Sequence, residues 1–331
     1  MASTLPHDNA VRWTREQFDG HVESYFVKAT SPDGKRAFWL KHTLLVEPGP
    51  EQNGIAETWF VAFERGKPAR GAKAKLPIAH GSYRSHPFLI VLGESSFDSK
   101  SAKGRLSSSD GDIRWDFTLA SRMRAYRTFP FDWMYTRQFP RTKTTTPAPS
   151  AVLAGSLVVH GETWTLDGWS TMQGHNWGTS HSHRWTWAQC SDFPSAKGAW
   201  FEAVSARMRA AGVSSPWLSI GALHVDGRTH RFDSPPSWIA TRTCTGLFFY
   251  EVAFESAEAV VSARVEAARD DVVCLRYENP DESTRSCLNS KLARIVLDVN
   301  VRGGASYRLE SDRCALEIGV PEGEHDLPTL L

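Results

Sequence analysis

Asp112-Ile-Arg-Trp-Asp-Phe-Thr-Leu119 alternates without a break: Ile113, Trp115, Phe117 and Leu119 fall on one side of an extended chain, and Arg114, Asp116 and Thr118 on the other. Successive Cβ atoms of a strand point to opposite faces, so this period of two predicts a strand with one face on a core and one in water. The same reading extends in both directions. Upstream, residues 36–46 put Phe38, Leu40, His42 and Leu44 on one face, 57–63 alternate similarly, and 87–92 form a short apolar run. Downstream, 157–169, 184–189, 199–207, 218–226, 245–254, 272–278, 291–301 and 306–319 continue the pattern. Residues 256–268 carry Ala and Glu as a helix would, but their alternation and their β-branched Val260, Val261 and Val265 favour a strand. Asp33-Gly34, Asp110-Gly111, His160-Gly161, Asp226-Gly227 and Gly303-Gly304 punctuate the runs as turns. Short strands separated by polar turns predict an all-β chain of barrels or sandwiches.

The length, 331 residues, suits two domains of ordinary size. Residues 139–150 are rich in Thr and Pro without periodicity and read as a linker, giving a β domain over 1–150 and a second over 151–331. Residues 191–197 and 233–237 read as surface turns. A net charge of +1 supplies no electrostatic reason for a nucleic-acid partner and allows at most peripheral membrane contact. The first 20 residues carry Asp8, Arg12, Arg15, Glu16 and Asp19 and lack the apolar core of a secretory signal. No apolar run approaches the roughly 20 residues of a bilayer span. Cys190, Cys244, Cys274, Cys287 and Cys314 are widely spaced and form no CxxC pair, which argues against a disulfide framework and for the cytoplasm.

Tryptophan is the unusual residue: there are 13, six of them between Trp164 and Trp200. An indole brings apolar area, a π face and one donor. The segment Gly174-His175-Asn176-Trp177-Gly178 reads as a glycine-bounded turn after a strand. Arg184 to Gln189 then alternates, with Trp185, Trp187 and Gln189 on one face and Arg184, Thr186 and Ala188 on the other. A core uses the indoles; a pocket that positions a partly polar ligand uses the amide as well. Glu202 follows among large apolar neighbours. It is either solvated or paired with Arg184 or Arg207, or it is buried; burial without a cation raises its pKa and makes it a general acid. Glu57 beside Trp59 is a second carboxylate in an aromatic setting. His42 and His80 read as structural. His175, His181 and His183 have no local carboxylate or cysteine to complete a zinc set, so no metal is predicted. His175 instead hydrogen-bonds a neighbouring loop or acts as an acid–base group oriented by Asn176. The chain carries no dinucleotide, phosphate-loop, nucleophile-elbow or zinc-protease signature.

The stretch Gly174-His175-Asn176-Trp177-Gly178, with Trp185-Thr-Trp187-Ala-Gln189-Cys190 after it, resembles the carotenoid 1,2-hydratase (hydroxyneurosporene synthase) family and its AttH-like relatives. It is also similar to the tocopherol cyclases of plants and cyanobacteria. The resemblance is specific over about residues 160–205, and Glu57-Thr-Trp59 fits it more loosely. It implies two consecutive lipocalin-like antiparallel β domains around a ligand cavity. Members of this kind protonate an isoprenoid double bond, after which water or an internal hydroxyl captures the cation; other relatives are linked to pericyclic ring closure. His175 and Trp177 match the family's His-x-Trp. Glu202 falls where the hydratases place a Tyr-Asp pair, and Phe201-Glu202 keeps the acid but lacks the phenol.

The sequence therefore predicts a cofactor-independent enzyme that hydrates or cyclises an apolar isoprenoid or polyene. Glu202 or His175 supplies the proton, and Asn176, Trp177, Trp185, Trp187, Gln189, Glu57 and Trp59 line the site. Facing indoles stabilise a carbocation by about 2 kcal/mol or more when water is excluded. The rivals are a non-catalytic lipid or isoprenoid carrier and a pericyclase acting by shape and hydrogen bonding. All three place His175–Trp177 and Trp185–Gln189 around one shared hollow.

Overall fold

The structure, a computed structural model, describes residues 8–14, 18–51, 53–121, 123–210 and 212–331. The polar N-terminal reading rests partly on residues 1–7 and on Arg15 and Glu16, which lie outside the described residues.

The chain folds into two large antiparallel sheets, each curled into a half-barrel. The first has the strand order Lys67–Pro77, Gly54–Glu64, Arg36–Val46, His21–Thr30, Ser170–Gly178, Thr142–Val159, Gly111–Ser121, Ser101–Ser108, Ser95–Asp98, Phe88–Leu92 and Ser82–Ser85. The second runs Arg228–Phe232, Leu218–Val225, Trp200–Arg207, Arg184–Cys190, Ser306–Pro321, Thr284–Val301, Ala259–Glu266, Phe249–Glu255 and Arg242–Thr245. Val273–Glu278 pairs with the first part of Thr284–Val301. The described helices are single short turns such as Trp133–Thr136 and Pro235–Ala240. None is long and apolar enough to cross a membrane.

The all-β expectation holds, and residues 259–266 are a strand. Two local expectations do not. Residues 142–159 are one long strand where a linker was predicted. The threonines at 142 and 144–146 are β-branched and suit a strand, and the register shifts on either side of Ala148 accommodate Pro147 and Pro149. Ser170–Gly178 is likewise a strand where a turn was predicted. Its glycine at 174 serves packing, because a Cβ there would come within 2.2 Å of the Phe26 ring. This strand joins His21–Thr30 to Thr142–Val159 in the first sheet. The sheets therefore change over between Gly178 and Arg184, not at 150, and the His-Asn-Trp stretch belongs to the first sheet.

Burial patterns report which strands are sandwiched. Gly111–Ser121 alternates buried and exposed, as its sequence requires. His21–Thr30 and Arg36–Val46 are buried on both faces. One face packs into the core of the first half-barrel through Tyr25, Val27, Phe38, Leu40 and Leu44. The other carries Phe26, Trp39 and Ala37 against the second sheet. The second half-barrel has its own core around Ala188, Phe201, Tyr250, Phe254 and Leu316. The expected surface turn at 191–197 contributes Phe193 to that core. Phe26, Trp39, Trp59, Val61, Phe63 and Met172 of the first sheet meet Trp187, Leu275, Tyr277, Cys287, Leu292 and Ala315 of the second. Each fully buried side chain of this size contributes roughly 1.5–3 kcal/mol.

Candidate functional site

Antiparallel register decides which side chains face the contact between the sheets. In the first sheet Lys41 lies opposite Phe26 on one side and Trp59 on the other, and Trp59 lies opposite Lys73. In the second, Gln189 lies opposite Glu202, and Trp187 opposite Glu317. Glu317 in turn lies opposite Asn289. The two facing sheets thus bury an aromatic layer between them, a closed slot studded with charged groups.

Glu202 is buried in this slot. Its Oε1 accepts from Trp187 Nε1 at 3.0 Å, and Thr146 Oγ1 of the first sheet lies 2.7 Å from its Oε2. Burial pushes its carboxyl above the ordinary value, and the donors at Trp187 and Thr146 offset only part of that shift. Among the described residues Glu202 makes no ion pair, although the buried Lys28 ammonium also offsets part of the upward shift. Gln189, opposite it, donates to the Pro149 carbonyl at 2.8 Å, and its buried Oε1 has no partner among the described residues.

The rest of the slot is cationic and aromatic. Lys291 is fully buried and pairs with Glu317 at 2.7 Å. Its Nζ stands 5.4 Å from the Trp187 ring and 5.6 Å from that of Trp39. Trp187 also meets Phe26 edge-on at 5.8 Å. Glu57 accepts from Trp59 Nε1 at 3.0 Å and pairs with Lys73 at 2.8 Å and Lys75 at 3.3 Å. Trp185 stacks on Tyr277 at 6.0 Å. Gly319 makes that stack possible, because a Cβ there would lie 2.1 Å from the Trp185 ring.

His175 and Trp177 lie on the opposite face of the first sheet, opposite Tyr25 and Glu23. His175 bridges the Asp8 carbonyl through Nδ1 at 2.6 Å and Glu23 Oε1 through Nε2 at 2.8 Å. Its ring stacks between Tyr25 at 4.3 Å and Trp177 at 4.7 Å. Glu23 also accepts from the backbone N–H groups of Arg12 and Trp13, from the Tyr25 hydroxyl and from His21. Burial pushes its carboxyl up, but the hydrogen bonds from His175 and His21 outweigh this and hold it far below the ordinary range. His175 therefore ties down residues 8–13. Asn176 points the other way, with Ser24, toward the second sheet.

The structure thus brings Trp185, Trp187, Gln189, Glu202, Glu57 and Trp59 to one contact and leaves His175 and Trp177 behind the sheet. The shared hollow expected from the sequence splits into two separate clusters. His181, considered from the sequence only as part of a zinc set, holds Asn279 Oδ1 through Nδ1 at 2.8 Å and lies beside Tyr277. Among the described residues no group of three or more His, Cys, Asp and Glu could hold a metal ion. The sequence reading missed Thr146, Lys291, Glu317, Trp39, Lys41 and Tyr277. The one local signal was Trp39-Leu-Lys41, a cation and an indole on the same side of a strand adjoining Glu57-Thr-Trp59.

A cleft of about 420 Å³ opens between the sheets along Leu45, Asn53, Ile55, Arg276, Glu278 and Asn279. A larger groove of about 460 Å³ crosses the solvent face of the second sheet past Cys244, Arg264 and Arg308, away from the tryptophans.

The sequence profile of a family described as tocopherol cyclase-like matches residues 149–320, a little over half of the chain. Two uncharacterised proteins from two strains of Mycobacterium tuberculosis are 23% identical over 291 residues, covering 86% of this chain and 82% of theirs. Three solved structures share the fold. An AttH-type protein from Nitrosomonas europaea has a TM-score of 0.57 at 12% identity, covering 96% of this chain and 97% of its own. Kievitone hydratase from Nectria haematococca has 0.52 at 14%, covering 97% and 96%. CghA with Sch210972 has 0.58 at 11%, also covering 97% and 96%. This architecture of paired lipocalin-like half-barrels is the fold the sequence predicted.

Proposed function

The chain belongs to the tocopherol cyclase-like family, and from that premise we propose that it is a cofactor-independent enzyme that protonates a carbon–carbon double bond of an apolar isoprenoid or polyene. Glu202 carries this reading: a buried carboxyl, biased toward its protonated form, set against an indole between two sheets. In the proposed step the alkene π pair takes the Glu202 proton and forms a C–H bond, leaving a carbocation and a carboxylate. Water or an internal hydroxyl then adds to the cation and returns a proton to Glu202, so the acid is regenerated. Trp187 and Trp185 face the cation, and the free Oε1 of Gln189 is placed to orient the attacking hydroxyl. One protein sharing the fold is by name a hydratase, which agrees with water as the second reactant. His175 is assigned no part in the proton transfer, because it lies on the far face of the first sheet.

Glu202→Gln keeps the size and the hydrogen bonds but removes the transferable proton. Turnover of prenylated phenols and polyenes, followed by mass spectrometry, is expected to fall by about 10²–10⁴-fold, with the circular dichroism unchanged. Wild-type turnover is expected to slow in deuterated water and to decline as pH rises through the raised Glu202 pKa. Full activity in Glu202→Gln defeats the reading. One observation favours a carrier instead: both Glu202 oxygens are already engaged, by Thr146 across the contact and by Trp187. In that case ligand binds without product, and Glu202→Gln binds it as the wild type does. A pericyclase would show no deuterium effect and would depend on Gln189 and Asn176.

A further inference from the structure

Lys41 is a buried ammonium without a counterion. Its residue is 4% exposed, yet among the described residues no hydrogen bond or ion pair reaches its Nζ. What surrounds it is aromatic: the ring centroid of Tyr277 lies at 3.8 Å, that of Trp39 at 5.5 Å and that of Trp59 at 5.8 Å. Of the other cations facing this contact, Lys291 pairs with Glu317 and Lys73 with Glu57, while the buried Lys28 reaches Ser191 Oγ at 3.4 Å. Three ring faces lessen the cost of burying a charge but supply no acceptor for its three N–H bonds. Two further polar atoms on this contact are buried without partners among the described residues, Trp39 Nε1 and Asn289 Oδ1. The rings continue from this box along the slot. Trp39 leads past Lys291 to Trp187, whose indole N–H binds Glu202.

We infer that the slot is bipolar and that its substrates carry an ionised acidic head, a carboxylate, which Lys41 binds within the Trp39–Trp59–Tyr277 box while the unsaturated body lies along the rings toward Glu202. This rests on the proposed alkene chemistry for the Glu202 end alone; the Lys41 end stands on its own contacts. The groups facing Lys41 are Glu57 and Lys73 on the first sheet, and Glu317, Lys291, Cys287, Tyr277 and His181 on the second side of the slot. Burial pulls the Lys41 ammonium down to about 8, against the attraction of Glu317, Cys287 and Glu57. Carboxylate binding is therefore favoured below that pH and weakens as pH rises through it.

All-trans retinoic acid and its methyl ester are suitable probes, because both quench tryptophan emission and share one polyene body, differing at the head by the charge and one methyl group. At pH 7 the acid is expected to bind the full chain at least about tenfold more tightly than the ester. Lys41→Met is expected to abolish that preference while leaving ester affinity within about twofold. Replacement of a buried charge by an isosteric apolar side chain is commonly neutral for stability. Should Lys41→Met not fold, the wild-type titration still decides: the acid's advantage must shrink between pH 7 and pH 9, and the ester's affinity must not. Equal affinity for acid and ester, or a preference that survives in Lys41→Met, overturns the proposal. So does retinaldehyde captured on Lys41 by borohydride with no preference for the acid, which would assign imine formation instead. Glu202→Gln is expected to bind the acid as the wild type does, so loss of turnover and loss of acid binding separate the two readings.

Discussion

At the residue scale the least anticipated group is Glu23. His21 and Tyr25 flank it on one face of His21–Thr30, but its full set of donors assembles only when Ser170–Gly178 brings in His175 and residues 12 and 13 fold back onto it. Its carboxylate is fully buried and held in the ionised state by those donors. A carboxyl whose folded pKa lies below its unfolded value contributes stability above the unfolded value, and that contribution is lost as pH falls below it. Glu23→Gln is therefore expected to cost about 3 kcal/mol at pH 7. Chemical denaturation at pH 7 and pH 3 checks this, with the gap between variant and wild type narrowing at the lower pH. Glu202 has the opposite sign: its contribution is present in acid and fades as pH rises. The sequence singled out Glu202 and the paired indoles together because they share one face of adjacent strands. It misplaced His175 because a strand buried on both faces gives no sign of which face meets which neighbour. Lys41 was overlooked for the same reason: a lysine in an alternating strand reads as solvated until a second sheet covers it.

At the element scale the strands whose outer face meets water were legible, Gly111–Ser121 above all, since alternation is enforced only where one side is wet. Thr142–Val159 was not, because two prolines and a run of threonines look like a linker when the bulges that absorb them are unseen. Gly174 was misread similarly, as a bend, when it makes room for the Phe26 ring, and Gly319, which the sequence did not mark, does the same for Trp185. Gly319→Ala tests this. The added methyl meets Trp185 and displaces it from Tyr277, so we expect a loss of about 1–3 kcal/mol and an altered near-ultraviolet dichroism from the tryptophans. An unchanged melting temperature and spectrum would show that the stack tolerates the shift.

At the scale of the whole molecule the two half-barrels share a contact as apolar as a core, and each alone would leave Trp39, Trp59 and Phe26, or Trp187 and Tyr277, in water. Polypeptides 1–180 and 181–331 produced together are expected to co-elute as one species, whereas each alone aggregates. A monomeric, cooperatively unfolding half would contradict this. Length and strand count foretold two β halves; the five residues 179–183 that join them carry no composition signal, which is why the join was sought at the Thr-Pro stretch instead. One consequence of the pairing concerns synthesis on the ribosome. Ser170–Gly178 is the last strand of its sheet to be made, yet it sits at the centre, between His21–Thr30 and Thr142–Val159. Ser306–Pro321 does the same for the second sheet, beside Arg184–Cys190. Each half must therefore wait, with strand edges unpaired, until its keystone has left the exit tunnel. Through most of translation the nascent chain is accordingly expected to expose unpaired edges of the kind that holding chaperones cover.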